Sequence, residues 1–311
     1  MKIGFGAPVA GAWATPENLG RFAARAEELG YDSLWTFHRL LIAADAQIDP
    51  VYHSVLDPLL ALTFAAARTS RIRLGVAIVN LPFVSPAYLA KQASTLDVLS
   101  GGRLDLGLGT GWSPEEFTAS GADPARRGAR AEDYVAALRT YWADEVSQHE
   151  GEFYTVPPSR MLPKPVQQPG PPILLGGAAP AALRRAGRLA DGWLSRSATD
   201  LSKIAEQIGT VRAAAAEAGR DPGAVRVITR GVVRTGQPAG AGAAHTDESG
   251  GRLRLSGTFA QIQEDAAWLG EQGVTELFYD LNWDPLIGSP GADPAAAAER
   301  AEEILVGLAP R

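Results

Sequence analysis

The groups able to do chemistry in this chain are few, and most of them end short apolar runs. Cysteine is absent, and the histidines are His38, His53, His149 and His245. His38 directly follows SLWTF, which places it at the carboxyl end of a strand. An imidazole there can hydrogen-bond a ligand or shuttle a proton near neutral pH; a packed or helix-capping histidine is the other reading. His53 lies in the following loop, either as a second polar group over the same mouth or as a surface residue. His149 and His245 fall in polar loops and are expected to be solvated. The run IRLGVAIV ends in Asn80, Leu81 and Pro82, and RLDLGLG ends in Gly109, followed by Thr110 and Gly111. Glycines at such ends let backbone approach a flat ring closely. In GGAAPAALRR, Gly176, Gly177 and Ala178 stand just before a helix. Helix N-terminal N–H groups favour a phosphate, although tight strand–helix turns also use glycine for steric reasons alone. Arg196, past the next strand, suits an anionic tail or is a surface charge. Arg126, Arg127 and Arg130 at the start of a long helix could approach a phosphate, and read better as solvated charges paired with carboxylates.

Other chemistries lack their residues. There is no HxH, no HExxH and no Cys ligand, so no metal site is expected. No GxSxG elbow is present. GTGW does not open a GxGxxG with a ribose-binding acid, which disfavours a Rossmann nicotinamide site. A net charge of −6 with a pI near 5.4 gives no footprint for nucleic acid. No run of about 18 apolar residues spans a membrane. MKIGFGAPVA lacks a basic n-region before an apolar stretch, so a cytoplasmic protein is expected.

The elements that must position these residues alternate along the chain. Strands are expected at 2–6, 33–36, 72–79, 103–109, 172–175, 191–195, 225–233 and 276–280. Helices are expected at 16–29, 58–68, 86–99, 130–142 and 180–189, then to 218, at 258–271 and at 294–308. Thr15, Asp57 and Asp293 serve as caps, with proline at the first helical position after each. Residues 144–170 form an excursion, and 235–257 a Gly-rich polar loop. Strand–helix–strand units of this length are parallel crossovers. Eight of them predict one α/β domain over 1–311, a (β/α)8 TIM barrel with insertions after strands 4 and 7; an open doubly wound sheet is the runner-up. In either fold, ligands bind at the carboxyl ends of the strands.

Several phrases taken together resemble the bacterial luciferase-like flavin-dependent family, the luciferase-like monooxygenases. They are AEELGYDSLWTFH, the stretch from Arg71 through GTGW with Glu115 and Glu116, RRGARAEDYVAALRTYW, GEFYTV, and PPILLGGAAPAALRRAGRLADGW. The family is a (β/α)8 barrel. GTGW and LADGW look most like its branch that uses the deazaflavin coenzyme F420. The resemblance implies that His38, the catalytic candidate, lies near the ring. It also implies a non-prolyl cis peptide in the third strand, placed at Ala77–Ile78, pressing on one ring face. Asn80, Gly109, Thr110 and Gly111 would border the ring, and Gly176, Gly177, Ala178 and Arg196 would hold the phosphate and tail. Sugar-phosphate dehydrogenases of that branch carry glutamate directly after GTG. Here Trp112 stands there, an apolar wall that with His53 would line a pocket for a hydrophobic or aromatic substrate; Glu115 or Glu116 is then a substitute acid or part of a helix start. The expected activity is F420-dependent hydride transfer to or from a small apolar organic molecule, in a homodimer. The alternatives are an FMN-dependent monooxygenase served by a separate flavin reductase, and a flavin-binding barrel without turnover.

Overall fold

A computed structural model describes residues 1–235 and 252–310. Its barrel strands are β1 (Lys2–Gly6), β2 (Ser33–Thr36), β3 (Arg73–Asn80), β4 (Leu104–Gly109), β5 (Ile173–Gly176), β6 (Gly192–Leu194), β7 (Arg226–Val232) and β8 (Glu276–Asp280). Each pairs in parallel with its sequence neighbour, and β1 pairs with β8, so the sheet closes. The longer helices are α1 (Pro16–Glu28), α2 (Pro58–Ala66), α3 (Pro86–Ser100), α4 (Arg127–Ala143), α5 (Pro180–Leu189), α6 (Ile204–Glu217), α7 (Phe259–Glu271) and α8 (Pro294–Gly307), and a short helix, Pro114–Ala119, follows β4 with Glu115 and Glu116 in its first turn. Thr15, Asp57 and Asp293 cap α1, α2 and α8 through their side chains. This is the expected (β/α)8 barrel.

The sequence reading differs in detail. Helix α4 starts at Arg127, after Arg126 in a left-handed conformation (φ 53°). The excursion after α4 contains an antiparallel hairpin, Ser147–Glu150 with Thr155–Ser159. His149 is therefore not a solvated loop residue: it sits in that hairpin, half-buried, bonded to Asp133 of α4. Of the loop expected over 235–257, Thr235 is described, joining Arg234 in a parallel pairing with Ser256–Gly257; residues 236–251, including His245, lie outside the described residues.

Side chains alternate across each strand, so those facing the barrel axis form layers. At the amino-terminal end, Asp105 accepts from Arg73 Nε (2.7 Å) and from Arg226 Nη1 (2.6 Å). Arg226 Nη2 also donates to Glu276 (3.0 Å), which accepts from Ser33 Oγ and Trp35 Nε1. Above lies an apolar layer of Trp35, Leu174, Leu194, Ile228 and Phe278, with Ala77 and Ile78 packed into it. The third layer, at the carboxyl end, contains Arg230 and Asp280, two residues beyond Ile228 and Phe278 on the same strand faces.

Candidate active site at the barrel mouth

The carboxyl ends of β2, β3, β4 and β5 bring together most residues singled out from sequence. The peptide Ala77–Ile78 is cis, at the position named from the sequence, and the register of β3 against β4 shifts there. Ile78 lies beside two of the candidate glycines. A Cβ on Gly109 would stand 2.4 Å from Ile78 Cδ1, and one on Gly176 would stand 3.2 Å from Ile78 Cγ2. Lack of a side chain at these two positions gives Ile78 its place, a packing reason that the strand-end reading did not foresee.

His38 follows β2. Its Nδ1 accepts from the Asn80 backbone N–H at 3.3 Å. Burial pushes its pKa down, against the opposing charges of Glu116 and Asp57. A neutral ring accepting at Nδ1 holds its proton on Nε2, so His38 is a donor at that atom. His38 also lines a cleft of about 180 Å³ with Asp57, Phe83, Tyr88 and Gln92.

Gly176 ends β5, and Gly177 turns the chain at φ +138°, where a Cβ would lie 2.6 Å from that of Ala182. Trp193 Nε1 anchors the Gly177 carbonyl (2.7 Å). Ala178 follows, and the N-cap of α5 is Ala179, which offers no capping side chain. Pro180 supplies no N–H, and those of Ala182 and Leu183 turn back to the Ala179 carbonyl, but no side chain occupies the start of this helix, which leaves room there for a phosphate. Leu194 pairs with Gly176, which puts Arg196 two residues beyond the neighbouring strand end, exposed.

The other wall was only partly anticipated. Trp112 is at the rim, 59% exposed, and packs edge-on to Tyr52. Tyr52 in turn meets Trp283 and Phe37. His53 is exposed and only ends the short turn Pro50–Tyr52; the neighbouring tyrosine makes the contacts. Arg39 lies over both Tyr52 (4.5 Å) and Trp112 (4.4 Å). Its Nη1 pairs with Glu116 Oε2 at 3.0 Å, with side chains 4% and 0% exposed. Glu116 also accepts from the Leu40 N–H, so it is tied up in structure. Glu115 is exposed and bonds Ser113. Arg127 donates to the Gly111 carbonyl, while Arg126 pairs with Glu152 and Arg130 with Asp123. Arg230 donates to Asp280 (2.7 Å) and to the Ala77 carbonyl (3.3 Å), and lies over Trp283 at 4.1 Å. Sequence reasoning missed Arg39, Tyr52, Arg230 and Trp283. The only available signal was an arginine within or just after a strand otherwise apolar.

Among the described residues no group of three or more His, Asp or Glu is placed to hold a metal, and no helix is long and apolar enough to cross a membrane.

Comparison with known proteins gives a consistent result. The family model described as luciferase-like monooxygenase matches residues 3–277. An uncharacterized protein of Mycobacterium tuberculosis is 39% identical over 56% of this chain, and the chain spans 61% of that relative's length. An F420-dependent glucose-6-phosphate dehydrogenase of Microbacterium testaceum is 30% identical over 67% of the chain and 61% of its own. An FMNH(2)-dependent dimethylsulfone monooxygenase of Pseudomonas putida is 34% identical over 49% of the chain and 42% of its own. The crystal structure of monooxygenase RslO1 from Streptomyces bottropensis superposes with a TM-score of 0.78 at 24% identity, covering 99% of this chain and 98% of that one; this likeness concerns the fold.

Proposed function

The chain belongs to the luciferase-like monooxygenase family of oxidoreductases, which has F420- and FMN-dependent members, and from that premise we propose that it is an F420-dependent oxidoreductase. When bound, the deazaflavin supplies the hydride acceptor or donor, at C5 of its ring. The chain's own residues do the rest. Ile78, seated between Gly109 and Gly176, and the Thr110–Gly111 backbone border the ring. The α5 start, from Gly177 and Ala178, holds the phosphate, with Arg196 toward the tail. The Nε2–H of neutral His38 either donates to the ring, stabilising negative charge there, or exchanges a proton with the substrate. The observation that carries the reading is the convergence of Ile78, His38 and the uncapped α5 start on one face of the barrel. The GTGW and diglycine segments support the deazaflavin over FMN, and an F420-dependent relative is among those matched, beside an FMNH(2)-dependent one. Trp112, where sugar-phosphate dehydrogenases carry glutamate, favours an apolar organic substrate over a sugar phosphate.

An equilibrium titration tests the coenzyme. F420 should bind at micromolar concentration or tighter, and FMN more weakly. A tenfold preference for FMN, about 1.4 kcal/mol, would overturn the assignment in favour of a monooxygenase that draws reduced flavin from a reductase. Binding of either coenzyme without turnover of any substrate would leave the non-catalytic barrel. A cytoplasmic setting, where reduced coenzyme is regenerated, belongs to this proposal. So does a homodimer: Leu60 on α2 and Tyr88 and Leu99 on α3 are apolar and exposed, which suits a self-complementary face. A monomer in light scattering at micromolar concentration would refute the dimer.

A further inference from the structure

The Arg39–Trp112 pair supports a statement about the substrate that resemblance does not supply. An indole 59% exposed is normally free to choose rotamers. Here Arg39 lies over it at 4.4 Å, and Tyr52 packs against it at an interplanar angle of 65°. Arg39 is itself buried, with its Nη1 3.0 Å from Glu116 Oε2 as an ion pair; that oxygen has no exposure and no hydrogen-bond partner. Arg39 Nε has no hydrogen-bond partner, and the guanidinium carbon lies over both rings, 4.5 Å from that of Tyr52 and 4.4 Å from that of Trp112. The chain thus commits a buried ion pair, costly to desolvate, to keeping a rim indole in one orientation.

We infer that Trp112 is the specificity-determining residue of the mouth, its open face a stacking platform for a neutral planar aromatic substrate, with Arg39 as the positioning residue fixed by Glu116. The charge pattern selects the class. Arg39 on one face of the indole opposes a second cation on the other. Glu116 cancels the Arg39 charge, so an anion gains little there. A flat neutral ring gains offset stacking beyond its buried area, a preference of about three- to tenfold over a saturated molecule of the same outline.

This inference rests on the mouth being the substrate site, and its test is separable from the coenzyme question. Calorimetric titrations with 2-naphthol and decahydro-2-naphthol are run on the protein as purified and on protein saturated with F420 or with FMN. Failure of both coenzymes to bind would refute the proposed function, while the contrast between probes still judges the platform. The aromatic probe should bind at least threefold tighter. Trp112→Leu, which keeps apolar bulk at an exposed position, should abolish that preference with coenzyme affinity and melting temperature unchanged. Arg39→Lys keeps the charge opposite Glu116 but not the flat guanidinium, and should at least halve the preference. Equal affinity for the two probes, binding of neither at millimolar concentration, or a preference that survives Trp112→Leu would overturn the platform. An undiminished preference in Arg39→Lys would overturn the positioning role.

Discussion

The two ends of the barrel use the same residue types in opposite ways. At the amino-terminal end, Arg73 and Arg226 meet carboxylates edge-on: both share Asp105, and Arg226 also reaches Glu276. At the mouth, Arg39 and Arg230 have one carboxylate each, Glu116 and Asp280, and their guanidinium carbons lie over aromatic rings. Edge-on pairing consumes donors and closes the barrel floor. Cation–ring contact leaves rings oriented around the opening. The lesson is that charge inside a barrel is a stability device where arginines converge on a shared buried carboxylate, and a shaping device where they lie over aromatic rings instead.

The largest expected effect breaks the floor. Burial pushes the Asp105 carboxyl up, but hydrogen bonds from Arg73 and Arg226 outweigh it and hold the carboxyl below the usual range. Asp105→Ala should cost about 3 kcal/mol in denaturant unfolding, because Arg73 loses its only carboxylate and Arg226 keeps Glu276 alone. A depressed carboxyl stabilises above the unfolded value near 3.9 and loses that contribution as pH falls below it. Asp105→Asn should therefore lack that segment of the acid transition. If the mouth behaves as a separate region, coenzyme affinity of the surviving folded protein stays unchanged.

Next comes the mouth itself. His38→Ala should lower turnover by about 10²-fold, with coenzyme affinity nearly unchanged, if Nε2–H serves a proton transfer. Weaker coenzyme binding with turnover preserved at saturation would make it a ring contact. Unchanged rate and affinity would leave a packed histidine. Because burial lowers the His38 pKa, the unfolded chain takes up a proton below about pH 6.5 that the folded ring resists. Stability should therefore decline as pH drops through that value, and His38→Gln should flatten the decline.

The smallest effect sharpens the contrast between stability and binding at a single residue. Ala179→Asp supplies the missing N-cap to α5, worth about 1 kcal/mol in stability, while placing a carboxylate where a phosphate would bind. Coenzyme affinity should fall at least tenfold as the melting temperature rises slightly. Retained affinity would put the phosphate elsewhere. Gly177 cannot make this distinction, since any side chain there meets Ala182 and a strained φ.

The sequence by itself determined the eight strand–helix units and their order. Apolar runs, proline at the first helical position and Thr15, Asp57 and Asp293 as caps are local signals, and each acts within a few residues. It also located the strand ends carrying His38, Asn80, Gly109 and Gly176, because ends of runs are visible in one dimension. Only the tertiary structure decided what those ends do for one another. The packing of Ile78 beside Gly109 and Gly176 comes from strands far apart in sequence. The burial of Glu116 beside Arg39 and of Arg230 among Phe37, Phe278 and Trp283 depends likewise on barrel closure, and that of His149 against Asp133 on a hairpin folding back over its own helix. A charged residue reads as exposed in sequence, since desolvation is unfavourable without a partner. The partner that reverses that expectation is supplied by another loop or strand, and no local pattern announces it.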